Sequence, residues 1–596
     1  MKGINASVLR VDLSAGKLTV QEISDDHYRR YLGGRGFIAH TLLTEVPKGI
    51  DPFGPENRLV FALGTITGHP LAGSGRNSVG CKSPLSGGYG ESEAGGFWGA
   101  ELKRAGFEAV VIEGTAPAPV YLWINDGRAE LRPADHLWGR ETADTDRAIR
   151  EELGDNRVRT AVIGQAGEKL VRFACILNDI THAAGRTGMG AVMGSKRLKA
   201  IAVRGTHLPE MADKEQLRAL NRWMLEHYKE ISKHWRYGTG SDMRSYEADG
   251  NMPVRNFKGG RFPGVEKINV QVLCEKYLEK MDNCYGCPIR CKRVVKLQEP
   301  FVVDPVYGGP EYETLAALGS NCGIDNLEAL MKAGEMCNRY GIDTISTGVT
   351  ISFAMECVEK GILSRDETDG LDLRFGNAEA MVRMVERIGL RQGLGDLLAE
   401  GSKRAAEKIG KGSGEWAIQV KGVEPPMHEP RRKQAMGLHY SMHVAGADHG
   451  TGIHDMEALD DQTGAKLYEK GFPAQLTNYL GICKFVPWKE EQIRDAVRHI
   501  TGWPVTAREL AQAVERGVTL ARIFNIREGF TENDDALPKR FATTPADGPL
   551  KGLDPEKFAE AQQTYYRLMG WDESGTPTPE RLAELEIEWA AARLNR

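Results

Sequence analysis

Asp282-Asn-Cys284-Tyr-Gly-Cys287-Pro-Ile-Arg-Cys291, together with the distant Asn478-Tyr-Leu-Gly481-Ile-Cys483, decides what this chain must build. Three thiols on one short loop and a fourth from far downstream can close a single tetrahedral sulfur cage, and iron–sulfur clusters are commonly held that way. A zinc site of four cysteines is tetrahedral too, but such sites usually come as two Cys-x2-Cys pairs. A triplet with one remote partner reads as a cluster, and a cluster implies electron transfer. The fold must therefore bring residue 483 to residues 284–291.

The other six cysteines, Cys81, Cys175, Cys274, Cys322, Cys337 and Cys357, are scattered and read as small buried hydrophobes. Ten cysteines among 596 residues are too few for a disulfide framework, which suits a reducing compartment. The chain is too long for one core, so two or three domains are expected. Apolar content of 41% and charged content of 27% are globular values. A net charge of −5 gives no electrostatic case for nucleic acid or an anionic membrane as partner. No stretch is apolar enough to span a bilayer, and the first residues offer no signal-peptide core, so the chain reads as cytoplasmic.

Up to about residue 210 the pattern is strand and turn. Val8 to Val20 alternates about Ser14-Ala-Gly-Lys17, and Val120–Ile124 meets the hairpin signal Asn125-Asp-Gly127. Leu59–Leu63, Ala109–Glu113, Ala161–Gly164 and Ala200–Val203 read as buried strands. Beyond that point apolar residues recur at helical spacing over Leu217–Ser232, Leu327–Tyr340, Thr344–Glu359, Ala378–Ile388 and Ala507–Phe524. A last helix is expected at Thr578-Pro579-Glu580, with Thr as N-cap and Pro at the first helical position. Strands first and helices after argue for an α+β chain. The expected domains are a β-rich one over 1–210 and helical ones over 211–415 and 416–596, with Gly410–Gly414 as the clearest linker.

Two segments are near copies: Asn338-x-x-Gly341-Ile342-Asp343 and Asn478-x-x-Gly481-Ile482-Cys483. Asn-x-x-Gly is how an ordinary helix ends. It can also aim an amide and backbone groups at a flat heterocycle, and two copies point to two similar ligands. Glycine-rich runs at Leu32–Gly36, Gly75-Arg76-Asn77 through Gly95-Gly96, and Ala183-Ala-Gly185-Arg186 through Gly190 allow backbone amides to approach phosphates, with Arg76 and Arg186 as counter-charges. None is a dinucleotide fingerprint, which disfavours NAD. Acidic Glu311-Tyr-Glu313 and the histidines His439, His443 and His449 are candidates for acid–base work.

Taken in order, these residues resemble the aldehyde ferredoxin oxidoreductase family almost end to end. The resemblance also rests on Gly33–Gly36, Glu101–Gly106, Met193–Lys196, Arg527–Phe530 and Leu537–Arg540. It implies a β-rich base under a tungsten bis-pterin (tungstopterin), two helical domains above it, and aldehydes oxidised to carboxylic acids with water as oxygen source. On this resemblance Cys284, Cys287, Cys291 and Cys483 hold a [4Fe–4S] cluster. Asn338, Gly341, Ile342 and Asp343, with Asn478, Gly481 and Ile482, recognise the pterins, although the family's usual first residue is Asp. Arg76, Glu93, Gly95, Gly96, Ala183, Gly185 and Arg186 hold the pterin phosphates, with Mg2+ as bridge; the family commonly bears Asn in place of Glu93. Glu313 and His449 match the catalytic pair. Glu311, Tyr312, His439 and Cys322 would line the pocket.

Where thermophilic members carry a Glu-x-x-His pair that binds metal between two copies, this chain reads Lys332-Ala-Gly-Glu335. That points to another oligomer, with ferredoxin or a separate iron–sulfur or flavin subunit taking the electrons. Two alternatives stand beside this reading. One is the catalytic subunit of a tungsten benzoyl-coenzyme A-type reductase; the other is a non-catalytic iron–sulfur or zinc scaffold.

Overall fold

A computed structural model describes residues 1–594, so the last two positions of the third expected domain lie outside the described residues. The β-rich part is two six-stranded sheets. The first runs Lys17–Glu22, Ser7–Asp12, Ala109–Glu113, Leu59–Leu63, Asn77–Lys82, Tyr89–Ala94. The second runs His182–Ala184, Ile176–Asn178, Arg159–Val162, Leu198–Arg204, Val120–Asn125, Arg128–Pro133. Both expected hairpins form, and each sheet has one parallel pair.

Period-two alternation explains how the sheets are used. Leu59, Phe61, Leu63, Val110 and Ile112 share a core with Leu122, Ala161, Ile176, Ile201 and Val203 of the other sheet. Their neighbours Val60, Ala62, Ala109 and Val111 turn the opposite way and pack into the large core of the helical part. The sandwich is thus a base with one face committed to the helices. Together these parts form the expected α+β chain.

Helices Leu327–Tyr340 and Thr344–Glu359 have the bounds their spacing predicts. The others start or end a few residues away, at Lys214–Ile231, Ala378–Leu390 and Ala507–Arg527. Thr578 caps Pro579–Glu584 by accepting from the Arg581 amide, but that helix is not the last, because Ala591–Leu594 follows. Helix Gly34–Glu45 in the strand-rich part was not expected; nine of its residues are buried, so it carries almost no polar–apolar period. In the Gly410–Gly414 run only Ser413 is buried, its hydroxyl donating to the Ala406 carbonyl; the other four residues are exposed. Among the described residues no helix is long and apolar enough to cross a membrane.

What positions the site is how two helix ends meet the base. Helices Leu327–Tyr340 and Thr463–Leu480 both stop at a left-handed glycine, Gly341 and Gly481. Past Gly341, the Cys175 amide donates to the Gly341 carbonyl at 2.8 Å and the Asp343 amide to the Phe173 carbonyl at 3.1 Å. Beside Gly481, the Ile66 amide donates to the Leu480 carbonyl at 2.9 Å, and the Cys483 amide to the Gly73 carbonyl at 2.9 Å. One glycine of the base under each turn leaves no room for a side chain: a Cβ at Gly164 would collide with the Tyr340 carbonyl, and one at Gly64 with Leu480 and Gly481 backbone.

Gly64→Ala and Gly164→Ala should each destabilise the fold by about 1–3 kcal/mol or more, because backbone cannot yield as a side chain does. Thermal unfolding of the two variants checks this, with Gly414→Ala as a control whose Cβ meets nothing and whose backbone is not in the left-handed region.

Candidate functional site

A cavity of about 820 Å³ lies where these helix ends meet the base. Of the residues singled out from sequence, Arg76, Glu93, Gly95, Ala183, Gly185 and Arg186 line it from the base. Asn338, Ile342, Asp343, Asn478, Glu313 and His449 line it from the helices, beside Cys284, Cys291 and Cys483. Gly96, Gly341, Gly481, Ile482 and Cys287 stand behind this wall. A larger open cleft of about 1220 Å³ lies elsewhere and contains none of them. Its walls hold Arg540 ion-paired to Glu356 and Arg431 to Glu429, so volume alone does not mark the site.

The cysteine loop docks on Gly95-Gly96. The Tyr285 amide donates to the Gly96 carbonyl at 3.0 Å, and a Cβ on Gly95 would stand 2.8 Å from the Cys284 sulfur. Cys483 reaches the same place, and its charge acts on all three triplet thiols. Burial is the first cause raising each of them, with Cys287 pushed up to about 12. Thiols so disposed hold protons until a cation displaces them. Tetrahedral zinc with Zn–S of about 2.3 Å gathers its sulfurs to about 3.8 Å. Among the described residues no three cysteine sulfurs lie within 4.8 Å of one another.

Asn338 and Asn478 sit in the last turns of the two helices, as the helix-end reading has it, and both line the cavity. The Asn338 amide donates to the Tyr307 carbonyl at 2.8 Å. Asp343 caps the next helix, accepting from Ile345 and Ser346 amides, and takes Arg186 as ion partner at 2.7 Å. Arg186 is thereby largely neutralised, whereas Arg76 makes only a 3.5 Å contact to the Glu93 carbonyl and stays available for an anion. The Glu93 carboxylate is gripped by Arg35 at 2.5 and 2.9 Å, leaving its backbone carbonyl, not its side chain, toward Arg76.

Glu311 and Glu313 have opposite fates. Glu311 is paired with Lys292 at 2.9 Å, and the charges of Lys292 and Arg293 outweigh its burial, holding it down at about 2. Glu313 accepts from the Met427 amide at 2.8 Å but has no ion pair to a lysine or arginine among the described residues. Burial raises it to about 7. His449 Nε2 stands 3.6 Å from Glu313 Oε1, and His449 is lowered to about 3 by burial and then by the Lys484 charge. At neutral pH this couples a half-ionised carboxylate to a neutral imidazole. Tyr312 lines the wall, its hydroxyl donating to the Met427 carbonyl at 2.6 Å. Cys322 and His439 do not line it: Cys322 is in the apolar core, and His439 turns to Thr451 and Asp448.

Sequence reasoning missed His428, Lys433, His454 and Lys484, which surround Glu313 and His449. The crowding of histidines between residues 428 and 454 was the available signal. Four buried ring or carboxylate atoms facing this region have no hydrogen-bond partner among the described residues: His182 Nε2, Glu313 Oε1, His443 Nε2 and His449 Nδ1. Such orphaned groups in a roomy cavity fit a large polar ligand.

Residues 8–205 match the family described as "Aldehyde ferredoxin oxidoreductase, N-terminal domain", and residues 217–587 match "Aldehyde ferredoxin oxidoreductase, domains 2 & 3". The chain is 38% identical to the tungsten-containing aldehyde ferredoxin oxidoreductase of Pyrococcus furiosus, over 97% of this chain and 98% of that one. It is 31% identical to the aliphatic sulfonate oxidoreductase, WOR-like subunit, of the same organism, over 100% and 99% of the two. Among solved structures it is similar to the active site complex BamBC of benzoyl coenzyme A reductase with 1,5-dienoyl-CoA. That likeness has a TM-score of 0.87 and 26% identity, covering 99% of this chain and 98% of that one.

The raised pKa of Glu313 carries a stability consequence with a definite sign. Its folded value of about 7 lies above its ordinary 4.5, so the protonated form is favoured in the folded state. This contribution is present below pH 4.5 and lost as pH rises through 7. Glu313→Gln should therefore unfold at a higher temperature than the parent above pH 7, by up to about 3 kcal/mol of stability. The difference should vanish below about pH 5; melting curves across pH check it.

Proposed function

Since the chain belongs to the aldehyde ferredoxin oxidoreductase family of tungsten enzymes, we propose that it oxidises aldehydes to carboxylic acids, with water supplying the oxygen. The observation that carries this reading is the Glu313–His449 pair, poised on the wall of the cavity that the cysteines also reach. The balance is one aldehyde and one water giving one carboxylic acid, two protons and two electrons.

The residues fit the cofactors the family implies. Arg76 and the loops at Gly95-Gly96 and Ala183–Arg186 would hold the pterin phosphates, and the Glu93 carbonyl would be a ligand to Mg2+ there. Asn338 to Asp343 and Asn478 to Ile482 would hold the two pterins, and Cys284, Cys287, Cys291 and Cys483 the [4Fe–4S] cluster. When bound, the tungsten bis-pterin supplies Lewis-acid and two-electron acceptor chemistry, and the cluster passes electrons singly. Glu313, half-ionised near neutral pH, takes the proton from water at the substrate carbon. His449, neutral there, donates a hydrogen bond to the substrate oxygen. Electrons leave to ferredoxin or to a partner subunit carrying iron–sulfur centres or flavin, in the cytoplasm.

Purified protein should contain tungsten and iron and turn over an aldehyde panel but not benzoyl-coenzyme A. Absence of both tungsten and molybdenum from active protein overturns the proposal, and turnover of the thioester in place of aldehydes favours the reductase reading. Glu313→Gln should lower kcat by about 10²–10⁴-fold. The parent's kcat should rise with pH through about 7, and the variant should lose that limb. Steady-state kinetics from pH 5.5 to about 9 decides this.

A further inference from the structure

Lys433 is buried, lines the cavity, and has no carboxylate partner among the described residues. Its Nζ instead meets two ring nitrogens, His428 Nδ1 at 3.3 Å and His454 Nδ1 at 3.3 Å, and lies 5.2 Å from the centre of the Tyr246 ring; the Asn251 side-chain amide meets the same His428 Nδ1 at 3.3 Å and supports the same tautomer. A charged ammonium has three donors and no lone pair, so any ring atom it meets must accept. In a neutral imidazole that forces the proton to the other nitrogen. Both rings are held neutral, because burial and then a neighbouring lysine charge lower them: Lys433 for His428, Lys484 for His454.

The consequences land on the catalytic pair. His454 Nε2–H donates to the His449 carbonyl at 3.1 Å, which pins the backbone under His449. His428 Nε2–H faces Glu313 Oε1 at 3.7 Å, on the same carboxylate whose other oxygen takes the Met427 amide. Nothing fixes the His449 ring in this way, since its Nδ1 has no partner among the described residues. Of the three histidines around Glu313, two are locked and the one placed to meet substrate is free to change tautomer.

We propose that Lys433 is a positioning residue that locks His428 and His454 as Nε2–H tautomers, so that His428 turns an N–H, not a lone pair, toward Glu313 and keeps it available as an ionised base. This rests on the reading of Glu313 as base. The groups facing Lys433 are His428, His454, Tyr246, Lys233, Asp249, Glu313 and Lys484, and of these Asp249 and Glu313 sustain its charge against burial. Lys433 is lowered only to about 8 and so stays charged through the neutral range. Its own charge favours ionised Glu313.

The test is a pH titration of the Glu313 carboxyl by infrared difference spectroscopy on holoenzyme, with Glu313→Gln subtracted to identify the band, beside the pH profile of kcat. Lys433→Met should move both upward by about one pH unit, since a positive charge and a locked donor are lost together. Lys433→Arg, which keeps the charge, should move them by less than half as much. Unchanged band and profile in Lys433→Met overturn the proposal. If that variant fails to take up tungsten, Lys433→Gln is read in its place, and an unmoved titration there overturns it equally. Should Glu313→Gln retain full turnover, the base reading fails, yet the infrared shift still decides the lock, because it is read without turnover.

Discussion

The seating of two helix ends on two side-chain-free points of the sandwich is the constraint on which the rest of the molecule depends. A left-handed glycine turns each chain end inward, and the Leu480 and Gly341 carbonyls and the Asp343 and Cys483 amides are satisfied by backbone of the base. Backbone-to-backbone bonding of this kind tolerates no Cβ at Gly64 or Gly164 and allows little rotation. It therefore sets the positions of Asn338 to Asp343 and Asn478 to Cys483 at once. Because Cys483 continues directly from the second turn and is bonded to Gly73, the same seat carries the fourth thiol to the triplet. The two segments proposed to hold the pterins and the four cysteines are thus placed by one set of contacts.

How far the sequence could be read follows from which forces were local. Leu59–Leu63, Ala109–Glu113, Leu327–Tyr340 and Thr344–Glu359 were legible to the residue, since period two and period 3.6 are imposed by the element itself. The four cysteines were legible as one set from residue type and spacing, and the fold brings them to one region. Helix Gly34–Glu45 was not, because burial on most sides erases the period. Nor could Arg35 be paired with Glu93, or Lys433 with His428 and His454, from spacing: those contacts join strands, helices and loops that only the fold brings together. Resemblance named the candidates for catalysis; it did not reveal what holds them.

Glu311 and Glu313 make the same point about electrostatics. They lie one residue apart at the start of helix Tyr312–Leu318, where the exposed amides favour either carboxylate equally. The helix end therefore cannot separate them. What does is the direction in which each side chain leaves the turn: Glu311 meets Lys292 and the Thr239 hydroxyl, and Glu313 meets an amide and uncharged imidazoles. One carboxylate is a permanent anion beside the cysteine loop, the other a titrating group beside His449. Two roles come from one motif, and the division of labour lies in the partners.

The Lys332-Ala-Gly-Glu335 stretch shows how a position can change its work while the geometry around it is kept. Glu335 is buried and is held by Lys332 at 2.8 Å and by Arg339, which also clasps Glu141 at 2.9 Å. Glu141 precedes helix Thr142–Leu153 of the base, and the Thr142 hydroxyl donates to the Asn338 carbonyl at 2.9 Å. The chain of contacts therefore runs from the helix surface through four alternating charges, Lys332, Glu335, Arg339 and Glu141, to the turn proposed to hold the first pterin. Exposed ion pairs contribute little, but this one is anchored on a buried carboxylate whose partners are supplied from both sides. Where the resemblance would place a metal between two copies of the chain, the same face here ties the helix to its own base, so the first segment is braced from within a single chain.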